Sequence, residues 1–198
     1  DAGRWEKVGE TPETLLYTVA ISAGRHIYLL AGTPDTADLS RATDHAWAYD
    51  PAADAWHALP AIPGGPRAVH AGAALDGYVY LFGGCRQTAD GVANTDSVCR
   101  LRVADEVWEE RAPAPIRGRS WGAAAAGGAI YLLGGYCDGM LDTVYRHDPA
   151  ADSYVLDSRL PAAVADVKFV YGAGMLLAAG GEDKPASRFA GTLVGRVG

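Results

Sequence analysis

The sequence predicts an all-β fold, a β-propeller of four blades with four antiparallel strands each, and three recurring features predict it. The first is an apolar strand that ends on a glycine pair. It reads Tyr78-Val79-Tyr80-Leu81-Phe82-Gly83-Gly84 and returns as Ala129-Ile130-Tyr131-Leu132-Leu133-Gly134-Gly135 and Met175-Leu176-Leu177-Ala178-Ala179-Gly180-Gly181. A degenerate copy is Ile27-Tyr28-Leu29-Leu30-Ala31-Gly32. The second feature is an aromatic residue, Trp5, Trp56, Trp108 or Tyr154, at a nearly constant distance before each glycine pair. The third is the turn Tyr49-Asp50-Pro51-Ala52-Ala53-Asp54, repeated as His147-Asp148-Pro149-Ala150-Ala151-Asp152. Self-similarity at a period of about 50 residues marks a fold of strand-rich units, none of which can bury its apolar face alone.

A strand with two glycines, a tyrosine strand, a turn and a tryptophan strand, in register across four copies, resembles the kelch repeat over nearly the whole chain. The resemblance implies a propeller. Kelch proteins generally carry six or seven blades, so a count of four is where this sequence departs from the family. The nearly bulk-free inner segments Ala71-Gly72-Ala73-Ala74 and Gly122-Ala123-Ala124-Ala125-Ala126 suit the crowded axis of a small ring.

The blades are expected at about 15–59, 68–111, 120–160 and 165–197, within a single domain 1–198. In the first, Asp50-Pro51 makes the turn between the third and fourth strands, proline fixing φ and aspartate bonding its own backbone. In the second, Asp76-Gly77 supplies the positive φ of a short hairpin, while Leu101 stands at the tyrosine position. The third carries His147 and Tyr154 at the tyrosine and tryptophan positions. Prolines in each connection, among them Pro60, Pro66, Pro113 and Pro161, stop one blade and stiffen the passage to the next. The last blade has three strands of its own, and Trp5-Glu6-Lys7-Val8 is an orphan fourth strand. Residues 4–9 are therefore expected to complete blade four and close the ring, which would remove the open sheet edges. The expected state is a monomer, with a ring completed by a partner chain as the alternative.

Lys and Arg number 17 against 24 Asp and Glu, a net charge of −7, with no basic run that could track a phosphate backbone, which argues against nucleic-acid binding. No stretch approaches the roughly 20 apolar residues of a bilayer span. Cys85, Cys99 and Cys137 match neither a disulfide framework nor a zinc spacing. Cys85 and Cys99 bracket one loop and could pair, but three reduced, partly buried thiols are expected. That slightly favours a cytoplasmic compartment without excluding export. No P-loop, dinucleotide fingerprint or nucleophile elbow occurs, and no cofactor or metal is expected.

With antiparallel strands, the loops after the glycine pairs and the blade-to-blade crossovers emerge on one face. That face gathers the long polar segments, where a rigid scaffold usually places its binding residues. Counting back from the glycines makes Thr18, His70, Trp121 and Val167 equivalent. The candidate ligand-binding residues there are Arg67, His70, Arg117, Arg119, Trp121, Asp166, Lys168 and Arg188. Arginine is suited to clamping a carboxylate. In kelch-like repeats, however, an arginine before the first strand also belongs to the repeat itself, and then bonds loop carbonyls.

Two functions follow from the resemblance. One is a binding or scaffold domain that presents its loop face to a protein or a small polar ligand, as kelch substrate receptors do. The other is an enzyme resembling bacterial sialic-acid mutarotases, which would take an anionic sugar in the axial mouth. It is suggested by the arginines of the mouth and by Gly180-Gly181-Glu182, Arg188 and Leu193-Val194-Gly195-Arg196-Val197. Catalytic residues do not carry over position by position.

Overall fold

The computed structural model describes residues 3–184 and 186–197. Apart from one 3₁₀ turn at Leu39–Arg41, its regular structure is β-sheet. The strands form four blades in chain order. The first is β1 (Val19–Ala23), β2 (His26–Gly32), β3 (Thr43–Asp50) and β4 (Ala55–Ala58), each pairing antiparallel with the next. The second is β5 (Ala71–Leu75) and β6 (Tyr78–Phe82), then β9 (Val98–Arg102) and β10 (Val107–Arg111). A hairpin of β7 (Cys85–Thr88) and β8 (Gly91–Asn94) rises from its glycine loop.

The third blade is β11 (Gly122–Ala126), β12 (Ala129–Leu133), β14 (Gly139–Asp148) and β15 (Ser153–Val164), with the short β13 (Tyr136–Cys137) folded onto β14. The fourth is β16 (Lys168–Gly172), β17 (Met175–Ala179) and β20 (Thr192–Arg196), with β18 (Glu182–Lys184) and β19 (Ser187–Arg188) as its loop hairpin. The inner strands stand side by side around the axis, β1 next to β5, β5 next to β11 and β11 next to β16.

The core lies between blades. One face of each blade turns towards the next, so alternate residues of a strand meet the following sheet. Tyr28 and Leu30 pack on Val79, Leu81 and Leu101; Tyr80 and Phe82 on Ile130 and Leu132; Tyr131 and Leu133 on Phe169 and Leu176. The fourth-strand aromatics seal these interfaces. Trp108 donates its indole N–H to the Pro60 carbonyl at 2.8 Å, and the Tyr154 hydroxyl reaches the Ala112 carbonyl at 3.2 Å. The Asp-Pro turns are Asx turns: Asp50 accepts from Ala52 N–H at 2.9 Å, and Asp148 from Ala150 and Ala151 N–H at 2.9 and 3.1 Å. Cys85, Cys99 and Cys137 are free thiols, and burial pushes the Cys99 thiol up to about 12.

The expected closing strand is absent. The sheet of blade four runs β16-β17-β20, no strand pairing involves residues 4–9 among the described residues, and Trp5 is wholly exposed. The reason lies in where the preceding chain is held. Val8, Gly9, Glu10 and Thr11 line one hollow together with Ile27, Tyr49 and Trp56, on the face of blade one that points away from blade two. Glu13 then fixes the segment there, accepting from Trp47 Nε1 at 2.6 Å and pairing with His45 Nδ1 at 2.9 Å.

Candidate functional site

The mouth of the axis is built from one piece of backbone used four times. In each blade the residue after the glycine position bridges the end of the incoming crossover: Leu16 with Thr33, Ala68 with Cys85, Arg119 with Tyr136, Ala165 with Glu182. The next residue of each crossover, Tyr17, Val69, Ser120 or Asp166, has a left-handed φ of 53° to 59°. Non-glycine residues pay for that conformation in strain, and they hold it where the surrounding bonds over-determine it. Here those bonds run from blade to blade. Val69 N–H donates to the Tyr17 carbonyl at 3.0 Å, Ser120 N–H to Val69 at 2.9 Å, and Asp166 N–H to Ser120 at 2.9 Å.

This belt divides two axial spaces, and its four residues line both. On the loop side is an open basin of about 520 Å³, walled by Tyr17, Leu39, Val92, Tyr136 and Met140 and carrying Arg119, Asp166 and Glu182. On the other side is a channel of about 390 Å³ between the inner strands, lined by Gly72, Gly122 and Ala123 with His70, Trp121 and Lys168.

The predicted residues separate into different roles. Arg67 is not a mouth residue: it is 1% exposed and lines neither axial space. Its guanidinium donates to the Pro63 carbonyl at 2.6 Å and to Ser97 Oγ at 3.2 Å, tying the crossover to the second blade's loop. Trp121 is buried beneath Gly83, Gly118 and Gly135, with its ring against their Cα atoms, and touches the channel only. His70 is buried in the channel wall, and neither ring nitrogen has a hydrogen bond of normal geometry. Burial holds its pKa down at about 3; the Arg67 charge adds to the effect, and the Leu30 carbonyl opposes it weakly.

Arg119, by contrast, stands in the basin wall. It donates to Asn94 Oδ1 at 2.7 Å, and its guanidinium lies 4.6 Å from the centre of the Tyr136 ring. That stacking positions the cation and leaves donors free. Asp166 is exposed at the border of basin and channel, and Lys168 lies below it in the channel. Arg117 is exposed, pairs with Asp96 at 3.3 Å, and lines an outer hollow beside Arg119 and Asp138. Arg188 is exposed and paired with Glu182, so only its carboxylate partner faces the basin. Tyr17, Ser120 and Met140 were not among the expected site residues. The first two were findable, since each immediately precedes one of the equivalent positions Thr18 and Trp121.

The same arrangement of blades occurs in the solved structure of YjhT, which superposes with a TM-score of 0.83 at 19% identity, over 97% of this chain and 68% of that one. In sequence, the cowpox virus protein "Kelch repeat and BTB domain-containing protein 1" is 24% identical over 89% of this chain, and the human "Kelch-like protein 35" is 31% identical over 68% of it. The chain is a kelch-repeat β-propeller. It spans only 30% and 22% of those two relatives. A third relative, N-acetylneuraminate epimerase of Haemophilus influenzae, is 33% identical over 43% of the chain. No family model matches the sequence. Among the described residues of this kelch propeller, no group of three or more His, Cys, Asp or Glu side chains is placed to hold a metal ion, and no helix is long and apolar enough to cross a membrane.

Proposed function

We propose that this kelch propeller is a binding module that engages a partner protein with its loop face and seats a polar partner side chain in the basin. The observation that carries this reading is the composition of the basin. Tyr17, Tyr136, Met140 and Arg119 surround an open space of about 520 Å³, with Asp166 and Glu182 as acceptors in its wall. Tyr, Met and Arg are the residue types enriched in the buried centres of protein interfaces. The kelch relatives named above support a scaffold role by resemblance. Selection of a displayed random-peptide library on the immobilised protein tests it. Enriched peptides should lose affinity about 10-fold or more on Tyr136→Ala, the truncation loss usual for an interface anchor. Enrichment that survives Tyr136→Ala and Asp166→Arg together would overturn it.

A second reading rests on Arg119, a cation with free donors at the basin, together with the Haemophilus epimerase relative. Under it the basin holds the carboxylate of an anionic sugar. Titration with N-acetylneuraminate, with its anomers followed by NMR, tests this directly. Saturable binding lost in Arg119→Ala supports it, and no shift at millimolar sugar rejects it.

A further inference from the structure

Two spaces on the loop face share one wall. One is the basin and the other is the outer hollow, of about 550 Å³, and Val92, Arg119 and Tyr136 line both. The hollow's walls come from β8 of the second blade, the crossover that follows that blade, and β13 of the third. This lining brings two guanidinium groups together. Arg117 and Arg119 stand two residues apart on the crossover, and side chains at that spacing in extended backbone share a side.

Both groups keep donors to spare. Arg119 Nη1 donates to Asn94 Oδ1 at 2.7 Å, while its Nε and Nη2 make no hydrogen bond among the described residues. Arg117 donates to Asp96 through Nε at 3.3 Å, and its Nη1 and Nη2 make no hydrogen bond among the described residues. Its side chain is 74% exposed, so that ion pair holds it weakly. The bond from Arg119 also turns Asn94 so that Oδ1 accepts, which leaves the Nδ2 group as a further donor. Asp138, exposed, is the only carboxylate among the described residues that line the hollow. Two cations therefore face one anion here, in a chain whose net charge is −7.

We propose that the hollow takes a phosphate group, carried on a phosphorylated side chain of the partner whose neighbouring residue sits in the basin; in this it rests on the binding-module reading. A carboxylate has two oxygens, which a single guanidinium fork satisfies. A phosphate monoester carries close to two charges and three terminal oxygens, which accept from both forks and the Asn94 amide at once. The shared wall sets the register. Neighbouring side chains of an extended segment point opposite ways from Cα atoms about 3.8 Å apart, so consecutive residues straddle Arg119 and Tyr136, one in each space. Asp138 supplies the discrimination. It repels any acidic group, and a ligand that engages both arginines offsets that repulsion far better than one that engages a single arginine.

Binding of three synthetic peptide libraries, identical except for a fixed central phosphoserine, glutamate or serine, tests this on the immobilised protein. Phosphoserine peptides should bind about 10-fold more tightly than either counterpart, the gain of charge-assisted bonds to a second fork. The gain should disappear in Arg117→Ala, which leaves melting unchanged because that side chain is exposed, and Asp138→Asn should enlarge it. Glutamate peptides that bind as tightly as phosphoserine peptides overturn the proposal, and so does a gain that survives Arg117→Ala. Inorganic phosphate that competes as strongly as the peptides overturns the partner as its source, because the hollow is then a site for the free ion. Met140→Ala alters the basin alone and separates the two readings. Serine peptides that bind and are weakened by Met140→Ala, with no gain from phosphoserine, keep the basin reading and reject the phosphate site. A phosphoserine gain that needs Arg117, with binding indifferent to Met140→Ala, keeps the phosphate site and rejects the basin reading.

Discussion

Trp108 reaches out of its own blade and donates its indole N–H to the Pro60 carbonyl at 2.8 Å, on the crossover that leaves blade one. The ring lies against the cluster of Tyr28, Leu30 and Leu101 at the same boundary. One residue thus joins two sheets through both area and a directed bond. Trp108→Phe keeps most of the area and should cost about 1 kcal/mol, the net value of one hydrogen bond. Trp108→Ala should cost about 3 kcal/mol or more. Urea titration of the two variants checks the order, and equal losses would mean that the bond is idle.

Arg67 and Arg119 look alike in sequence, yet the structure separates them. Arg67 lies three residues before His70, whereas Arg119 lies two before the equivalent Trp121. In an extended segment that one-residue difference turns the side chain to the opposite face. Arg67 points into the blade boundary and Arg119 into the basin. Arg67→Ala is therefore expected to lower stability by about 3 kcal/mol, since it empties a buried site and strips partners from the half-buried groups at Pro63 and Ser97. Arg119→Ala should stay within about 1 kcal/mol of wild type, because its guanidinium is half-buried and, among the described residues, is held by Asn94 and the Tyr136 ring. Chemical denaturation of the two single variants separates them, and equal destabilisation would place Arg119 in the scaffold as well.

The glycine pairs, the aromatics and the Asp-Pro turns were legible because each answers a local demand that repeats with the blade. The fate of Trp5 was not. Its spacing marks it as a fourth strand, but which blade it completes depends on the distance between the two ends of the arc. That distance is set by curvature accumulated over every blade boundary, and the Glu13 contacts to Trp47 and His45 that hold the segment span more than 30 residues of sequence. Nor did the sequence separate basin from channel. The dividing belt is made by backbone amides of Tyr17, Val69, Ser120 and Asp166, four side chains with nothing in common.

The buried histidines set the acid limb of stability. His70 is held at about 3 by burial, and burial also lowers His147. An unfolded chain takes up a proton on each below its ordinary value near 6.5, while the folded chain does not. Stability is therefore full above about pH 6.5 and falls as pH drops towards 3, by up to about 1.4 kcal/mol per pH unit for His70, with His147 acting in the same direction. The carboxylates lowered by hydrogen bonds, Asp50, Asp148 and Glu109, contribute stability above their ordinary values that is lost only at more acid pH. Between pH 6.5 and about 4.5 the slope belongs to the histidines. Melting temperatures of wild type and His70→Gln across that range should converge as pH falls, and parallel curves would show that His70 does not titrate on unfolding.

Gly84 tests whether the glycine pair is required by the backbone or by the space around it. Its φ is 102°, which side-chain-bearing residues rarely adopt, and a Cβ placed there would lie 2.7 Å from the Ala68 carbonyl oxygen and 3.0 Å from His70 Cβ. Both neighbours are fixed: Ala68 by its two bonds to Cys85 at 2.9 and 2.8 Å, and His70 by burial. Gly77 offers the control. Its φ is 78°, also left-handed, but nothing lies within 4 Å of the position its Cβ would take. Gly77→Ala should therefore show the conformational cost alone, about 1 kcal/mol. Gly84→Ala adds the displacement of a crossover that borders the basin, and should cost about 3 kcal/mol or more while also weakening whatever binds there. Denaturation midpoints of the two variants decide it. If they match, the second glycine serves conformation only, and the close approach of Ala68 adds nothing to the stability of the mouth.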